Sequence, residues 1–263
     1  MGDWPSILPA AVSGGVVGIS LGLTGGGGSI LALPLLVYVL GLPLRTAVAL
    51  SLAVVGATAG FGAALRLGKS DIDWPAGAAF AAGGMALAPL GMEFGRFVPP
   101  HVLLSIFGAI MAFVGWRMWR GGAGGSDAVG PCTRRADGRR GRGCHIRLAV
   151  AGMGAGLLSG LFGIGGGFVI VPALIYVTGT TIHRAVATSL LVIFLISISG
   201  VVTSLWQGNE LPLTESMIFL TGAFLGMLAG TRLRSRLAGP LLGRVFAFAL
   251  WAIAILLIFK NAL

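Results

Sequence analysis

A glycine-rich stretch, Gly22-Leu-Thr-Gly-Gly-Gly-Gly-Ser-Ile-Leu-Ala-Leu-Pro34, returns 138 positions later as Gly160-Leu-Phe-Gly-Ile-Gly-Gly-Gly-Phe-Val-Ile-Val-Pro172, each time inside strongly apolar sequence. Each consecutive glycine weakens a helix by about 1 kcal/mol relative to alanine, so both stretches interrupt the helix that contains them. In lipid every backbone N–H and C=O needs a partner, and broken helix persists only where protein wraps it or a wet cavity adjoins it. Matched interruptions in the two halves of a membrane chain point to a substrate site at the breaks.

The match is a duplication. Residues 14–52 and 152–190 align without a gap, with seventeen of thirty-nine positions identical, among them Pro34/Pro172, Tyr38/Tyr176, Ser51/Ser189 and the Ala-Val-Ala of 47–49 and 185–187. Glycine bias alone does not reproduce those residues, so the chain holds an internal repeat. With 56% hydrophobic and 10% charged residues and a mean hydropathy of +0.96, it reads as a polytopic membrane protein. Apolar stretches run over 7–40, 46–65, 74–92 and 98–116, then 148–178, 185–205, 216–231 and 241–259. The first is too long for one upright crossing and short for two, since a crossing takes about 20 residues; a hairpin bending at the glycines near mid-membrane fits it.

Residues 1–120 and 147–263 are thus two membrane repeats, joined by a Gly/Arg-rich linker over 121–146. Eight of the 18 basic residues behind the net charge of +10 (Arg117, Arg120, Arg134, Arg135, Arg139, Arg140, Arg142 and Arg147) flank or fill that linker. It lacks the aromatics and folded basic face of a nucleic-acid site, and no such partner is expected. It reads instead as a cytoplasmic segment under the positive-inside rule. Counting spans outward from it leaves only Arg45, Arg96 and Lys260 of the 18 basic residues outside. The two halves then run in opposite senses, so the expected fold is all-α with two inverted-topology repeats, each a glycine-broken hairpin plus three transmembrane helices. The start, Met1-Gly-Asp-Trp-Pro, has no basic region ahead of its apolar run, and no cleaved signal peptide is expected. Cys132 and Cys144, near His145, give no four-ligand metal spacing and read as incidental thiols; neither a metal nor another cofactor is expected.

Glycines at four-residue spacing (14, 18, 22 and 152, 156, 160) form a packing face. The runs Gly25, Gly26, Gly27, Gly28 and Gly163, Gly165, Gly166, Gly167 suit a bend. A new helix starts after each, and its free N–H groups and positive dipole end favour an anion. Thr24 and Ser29 can add hydroxyl donors in the first copy, while the second offers backbone beside Phe162. Ser51, Ser189 and Thr188, early in the following spans, can face the same cavity. Pro34 and Pro172 kink the resumed helices. His183, Arg184 and Arg45 stand near the two entrances, where interfacial anchoring is the plainer role. All eight carboxylates fall in loops or at span ends, which disfavours a mid-membrane proton relay.

The duplicated Gly-x-Gly-Gly-Gly followed by proline, Gly163-Ile-Gly-Gly-Gly167 with Pro172 and Gly25-Gly-Gly-Gly-Ser29 with Pro34, resembles the sulfite exporter (TauE/SafE) family; Ser29 replaces the last glycine of the first copy. The resemblance implies a cell-membrane transporter of small sulfur-containing anions such as sulfite, thiosulfate or sulfoacetate. An inside-negative potential of 100 mV favours exit of a monoanion by about 2.3 kcal/mol, which suits export. A passive anion channel and a non-transporting anion sensor remain alternatives, and the small-residue faces leave a homodimer open. An intramembrane enzyme lacks a catalytic set, since Ser159 has no His or Asp partner within the spans. The glycine runs lack the Lys-Ser/Thr of a nucleotide loop.

Overall fold

The computed structural model describes residues 4–66, 72–120, 142–208 and 213–234, and every regular element among them is helical. Most of the linker and the last apolar stretch, 241–259, lie outside the described residues. The elements are α1 (Trp4–Thr24), a 3-10 turn (Gly27–Leu31), α2 (Ala32–Tyr38), α3 (Leu44–Ala64), α4 (Trp74–Phe97), α5 (Pro100–Arg120), α6 (Arg142–Phe162), α7 (Gly167–Thr178), α8 (Ile182–Trp206) and α9 (Leu213–Arg234). Local chemistry sets several ends. Asp73 caps α4 by accepting from the Ala76 N–H at 3.3 Å, with Pro75 in the first turn. Gly179, at φ 62°, closes α7 in the left-handed conformation. Helix α6 begins at Arg142, inside the stretch read from sequence as linker.

Helices α1, α3, α4, α6, α8 and α9 are long and apolar enough to cross a membrane. Two of them form the centre: 72% of α3 and 61% of α8 is buried, against at most 50% of any other span. They run antiparallel, Gly60 facing Phe194, Gly56 facing Ser197 and Leu52 facing Gly200. The outer pairs run parallel. In α1, Gly14 meets Phe219 and Gly18 meets Ala223 of α9; in α6, Gly152 meets Phe80 and Gly156 meets Gly84 of α4. A Cβ at any of these glycines would fall on the facing backbone, so the glycine face is a helix-packing face. The first helix of each half therefore packs on the other half.

Opposite those glycines, α1 exposes Leu8, Val12, Val16 and Ile19, and α6 exposes Ile146, Val150 and Met153. Apolar stripes of this length suit lipid and not water. The chain is a multi-pass membrane protein. One expectation is corrected here: Cys144, at the start of α6, is disulfide-bonded and not an incidental thiol. Such bonds are rare in reducing compartments. The arginine bias over the whole chain is the weightier guide to orientation.

Candidate functional site

Both helices stop at the same repeat position. Gly25 follows α1 at φ +75° and Gly163 follows α6 at φ +69°, a left-handed conformation that glycine adopts without the strain a Cβ brings. Their N–H groups make the last helical bonds, to Leu21 O at 2.7 Å and Ser159 O at 2.8 Å. Each break then packs on the inner helix of the other half, Gly25 on Val186 of α8 and Gly163 on Val48 of α3, again matching positions. From there the breaks converge. Gly26 abuts Gly167, a Cβ on either meeting the other's carbonyl, and Gly165 lies between Val55 and Ile193, midway along α3 and α8. The arms are unequal: α1 and α6 have 21 residues each, about 31 Å at 1.5 Å per residue, while α2 and α7 are short.

The hydroxyls divide by role. In the first break, Thr24 Oγ1 donates to Ser20 O at 2.7 Å and accepts from the Gly28 N–H at 2.9 Å, while Ser29 Oγ donates to Gly26 O at 2.7 Å. Both satisfy broken backbone. Ser189 Oγ donates toward Gly25 O at 3.0 Å and Val186 O at 2.9 Å, tying α8 to the first break. Thr188 Oγ1 accepts from the Asp73 N–H at 2.9 Å and anchors the approach to α4. The repeat mate of Ser189 behaves differently: Ser51 is fully buried and its hydroxyl has no partner. So are Ser159 and Ser197. Ser159 lies against Gly166 and Ser197 against Gly165.

Two of the unengaged hydroxyls, Ser159 and Ser197, are thus at the second break, where α7 begins after Gly166 (φ +67°) with Val169 and Ile170 N–H both donating to Gly166 O at 3.0 Å. Sequence reasoning named Thr24, Ser29, Ser51, Thr188 and Ser189 as the hydroxyls of the site and did not place Ser159 and Ser197 beside the second break. Their repeat mates are Leu21 and Ala59, so a search for symmetry hides them and a search for departures from it finds them. Truncation separates the two matched serines. Ser189→Ala leaves Gly25 O short of a donor and is expected to cost about 1–2 kcal/mol. Ser51→Ala removes an orphan group and is expected to be neutral or slightly stabilising. Thermal unfolding in detergent micelles measures both.

No charged side chain is buried among the described residues, and no cluster of three metal-ligating side chains occurs among them. Charge gathers at an edge. A cavity of about 190 Å³ lies between the start of α3 and the end of α4, lined by Arg45 and Arg96. A smaller one of about 40 Å³ shares those arginines and reaches Val48, Gly160 and Gln207, next to the second break. Two of these lining residues share one acceptor: Glu93 Oε2 accepts from Arg96 Nη1 at 3.4 Å and from Gln207 Nε2 at 3.0 Å.

Paired glycine breaks meeting inside a lipid-facing helical bundle agree with what the comparisons give. A model of the sulfite exporter TauE/SafE family matches residues 10–257. The chain belongs to the TauE/SafE family. A probable membrane transporter protein of Xylella fastidiosa (strain 9a5c) is 38% identical over 97% of this chain and 96% of its own length. The probable membrane transporter protein YdhB of Bacillus subtilis is 26% identical over 73% of the chain and 76% of that protein. MamO of Paramagnetospirillum magneticum, also a probable membrane transporter protein, is 35% identical over 42% of the chain and 18% of its own length. No solved structure is a significant match. This TauE/SafE chain thus belongs among membrane transporters.

Proposed function

We propose that this TauE/SafE protein carries small sulfur-containing oxyanions, such as sulfite, thiosulfate or sulfoacetate, across the cell membrane and holds them where its glycine breaks meet. The observation that carries the reading is the junction: one break from each half, converging midway along the inner helices beside buried hydroxyls without partners. Leaving such a group unpaired costs about 1–3 kcal/mol. An oxyanion at the start of α7 offers acceptors to Ser159 and Ser197 and to the first N–H groups of the helix, which lack intrahelical partners. Gly25 to Gly28, Gly163 and Gly165 to Gly167 let backbone approach it. Thr24, Ser29, Thr188 and Ser189 hold the surrounding backbone.

The antiparallel α3–α8 pair and the parallel α1–α9 and α4–α6 pairs support an inverted-topology repeat, in which rocking of one half against the other exposes the junction to each side in turn. The membrane potential then drives a monoanion outward.

Flux of labelled sulfite, thiosulfate and sulfoacetate through proteoliposomes under an imposed potential tests this. We expect saturable, potential-dependent flux of at least one anion, with Ser159→Ala and Ser197→Ala each raising KM about tenfold, the loss of one hydrogen bond to a charged ligand. Flux that does not saturate and ignores counter-substrate would instead describe a channel. Binding without flux would describe a sensor. Neither binding nor flux from folded protein would sink the sulfur-anion reading.

A further inference from the structure

The arginine-lined cavity at the start of α3 is built for more than anchoring. Arg45 stands in the first turn of α3, where the helix dipole is itself positive and acidic side chains are the stabilising choice; α3 has none there. Its charge therefore adds to that of the helix end. Arg96, in the last turn of α4, lines the same cavity. Its ion pair with Glu93 is long, at 3.4 Å, and its side chains are 43% and 47% exposed, a setting in which such pairs contribute little. Gln207, capping the end of α8, donates to the same Glu93 oxygen at 3.0 Å. One carboxylate oxygen thus occupies the point on which a guanidinium and an amide converge. The smaller cavity that shares both arginines is lined also by Gln207, Val48 and Gly160, and Val48 is the residue on which Gly163 of the second break rests.

We infer that this cavity, on the outer side by the arginine bias, is a capture site for the free oxyanion at the outer mouth of the glycine junction, reached from outside when the carrier runs in its uptake or exchange direction, and that Glu93 is its built-in stand-in. An arriving oxyanion takes the Arg96 and Gln207 donors from Glu93 and gains Arg45, and Glu93 turns out to solvent. No bond is made or broken. Leaving the cavity inward, the anion meets the second break, where the unpartnered Ser159 and Ser197 hydroxyls are. The inference rests on the transport reading above for what is captured, and its test separates the two.

In phosphatidylcholine proteoliposomes carrying thiosulfate or sulfite, Arg96→Gln and Arg45→Gln are expected to raise KM about three- to tenfold with little change in maximal rate, as for loss of a half-exposed charged donor. Glu93→Gln removes the competitor and is expected to lower KM about threefold. Raising the ionic strength weakens wild-type capture and has little effect on the double arginine variant. Unchanged KM in both arginine variants, or a lower maximal rate with the same KM, assigns the arginines a structural role and overturns the inference. A raised KM in Glu93→Gln overturns the stand-in. The same chemistry fits a lipid phosphate: dependence on Arg96 that appears only when phosphatidylglycerol is added makes the cavity a headgroup site and overturns free-anion capture. If the wild type moves neither anion, titration calorimetry on the detergent-purified protein decides: sulfite or thiosulfate binding weakened by Arg96→Gln retains the capture site, and binding that is absent or unaltered rejects it.

Discussion

Gly167→Leu is expected to lower transport at least a hundredfold while the neutral control Gly154→Leu leaves it within a factor of two. At Gly167 even a Cβ falls on the Gly26 carbonyl and Cα and on Ile193 Cδ1, all in the buried junction. Leucine there forces the two breaks apart, and overpacking of a filled site costs about 1–3 kcal/mol before any polar group is disturbed. The functional loss exceeds the loss of stability, because the wedge enters the point at which both halves meet. Gly154 also lies in an apolar helix, but a Cβ there meets nothing within 4 Å. Adding leucine at both sites holds composition constant and varies only the contact. Flux, corrected for folded protein by size-exclusion profile, is the measurement; comparable losses at the two positions would mean that helix α6 and α7 tolerate no bulk anywhere and that the junction has no special standing.

Much of the scaffold was legible because glycine leaves an unusually readable record in a membrane helix. Gly14, Gly18 and Gly22 recur every fourth residue, which is the spacing of close helix contact, and they pack on α9 as that spacing requires. Runs of glycine cannot serve that purpose, and Gly25 to Gly28 and Gly163 to Gly167 bracket the ends of α1 and α6. The repeat also implied that Val48 and Val186 hold matching places, although not that each supports the other half's break. That exchange is a tertiary choice with no local trace.

The polar detail was less legible, for a physical reason. A hydroxyl in an apolar helix can bond a nearby carbonyl, a second helix or a ligand, and the sequence is the same in all three cases. Thr24 and Ser29 stood nearest the glycines and were the natural donors to a substrate, yet local geometry gives their hydroxyls to Ser20 and Gly26. Ser159 and Ser197 stood further off in sequence and lie beside the second break. The cavity between Arg45 and Arg96 joins residues about fifty positions apart and depends on α3 starting and α4 ending on the same side. Helix order implied that side without implying a cavity.

The two breaks are related by symmetry but are held differently, and a pair of double-mutant cycles exposes the difference. At Gly25 the three atoms nearest an added Cβ all belong to the Val186 side chain, whereas at Gly163 it meets the Cα and carbonyl oxygen of Val48 before its side chain. Gly25→Ala and Gly163→Ala each place alanine at positive φ, about 1–2 kcal/mol, and each adds a steric cost of about 1–3 kcal/mol. A total of about 2–5 kcal/mol corresponds to roughly 5–15 °C in the unfolding midpoint of a chain this size. Only the Gly25 clash can be relieved by trimming its neighbour. Val186→Ala is therefore expected to recover about 1 kcal/mol or more of the Gly25→Ala loss as a coupling energy, with Val48→Ala recovering close to none of the Gly163→Ala loss. Recovery stays partial even at Gly25, because the Val186 Cβ, which alanine retains, is 2.9 Å from the added atom. Equal rescue at both breaks would show that Val48 can move as a body, and with it the start of α3 at the mouth of the arginine cavity. Unequal rescue makes the second break the rigid one, fixed by backbone on the side where the unpartnered Ser159 and Ser197 hydroxyls lie, and leaves the first break, tied through Ser189 and a movable valine, as the more deformable of the two.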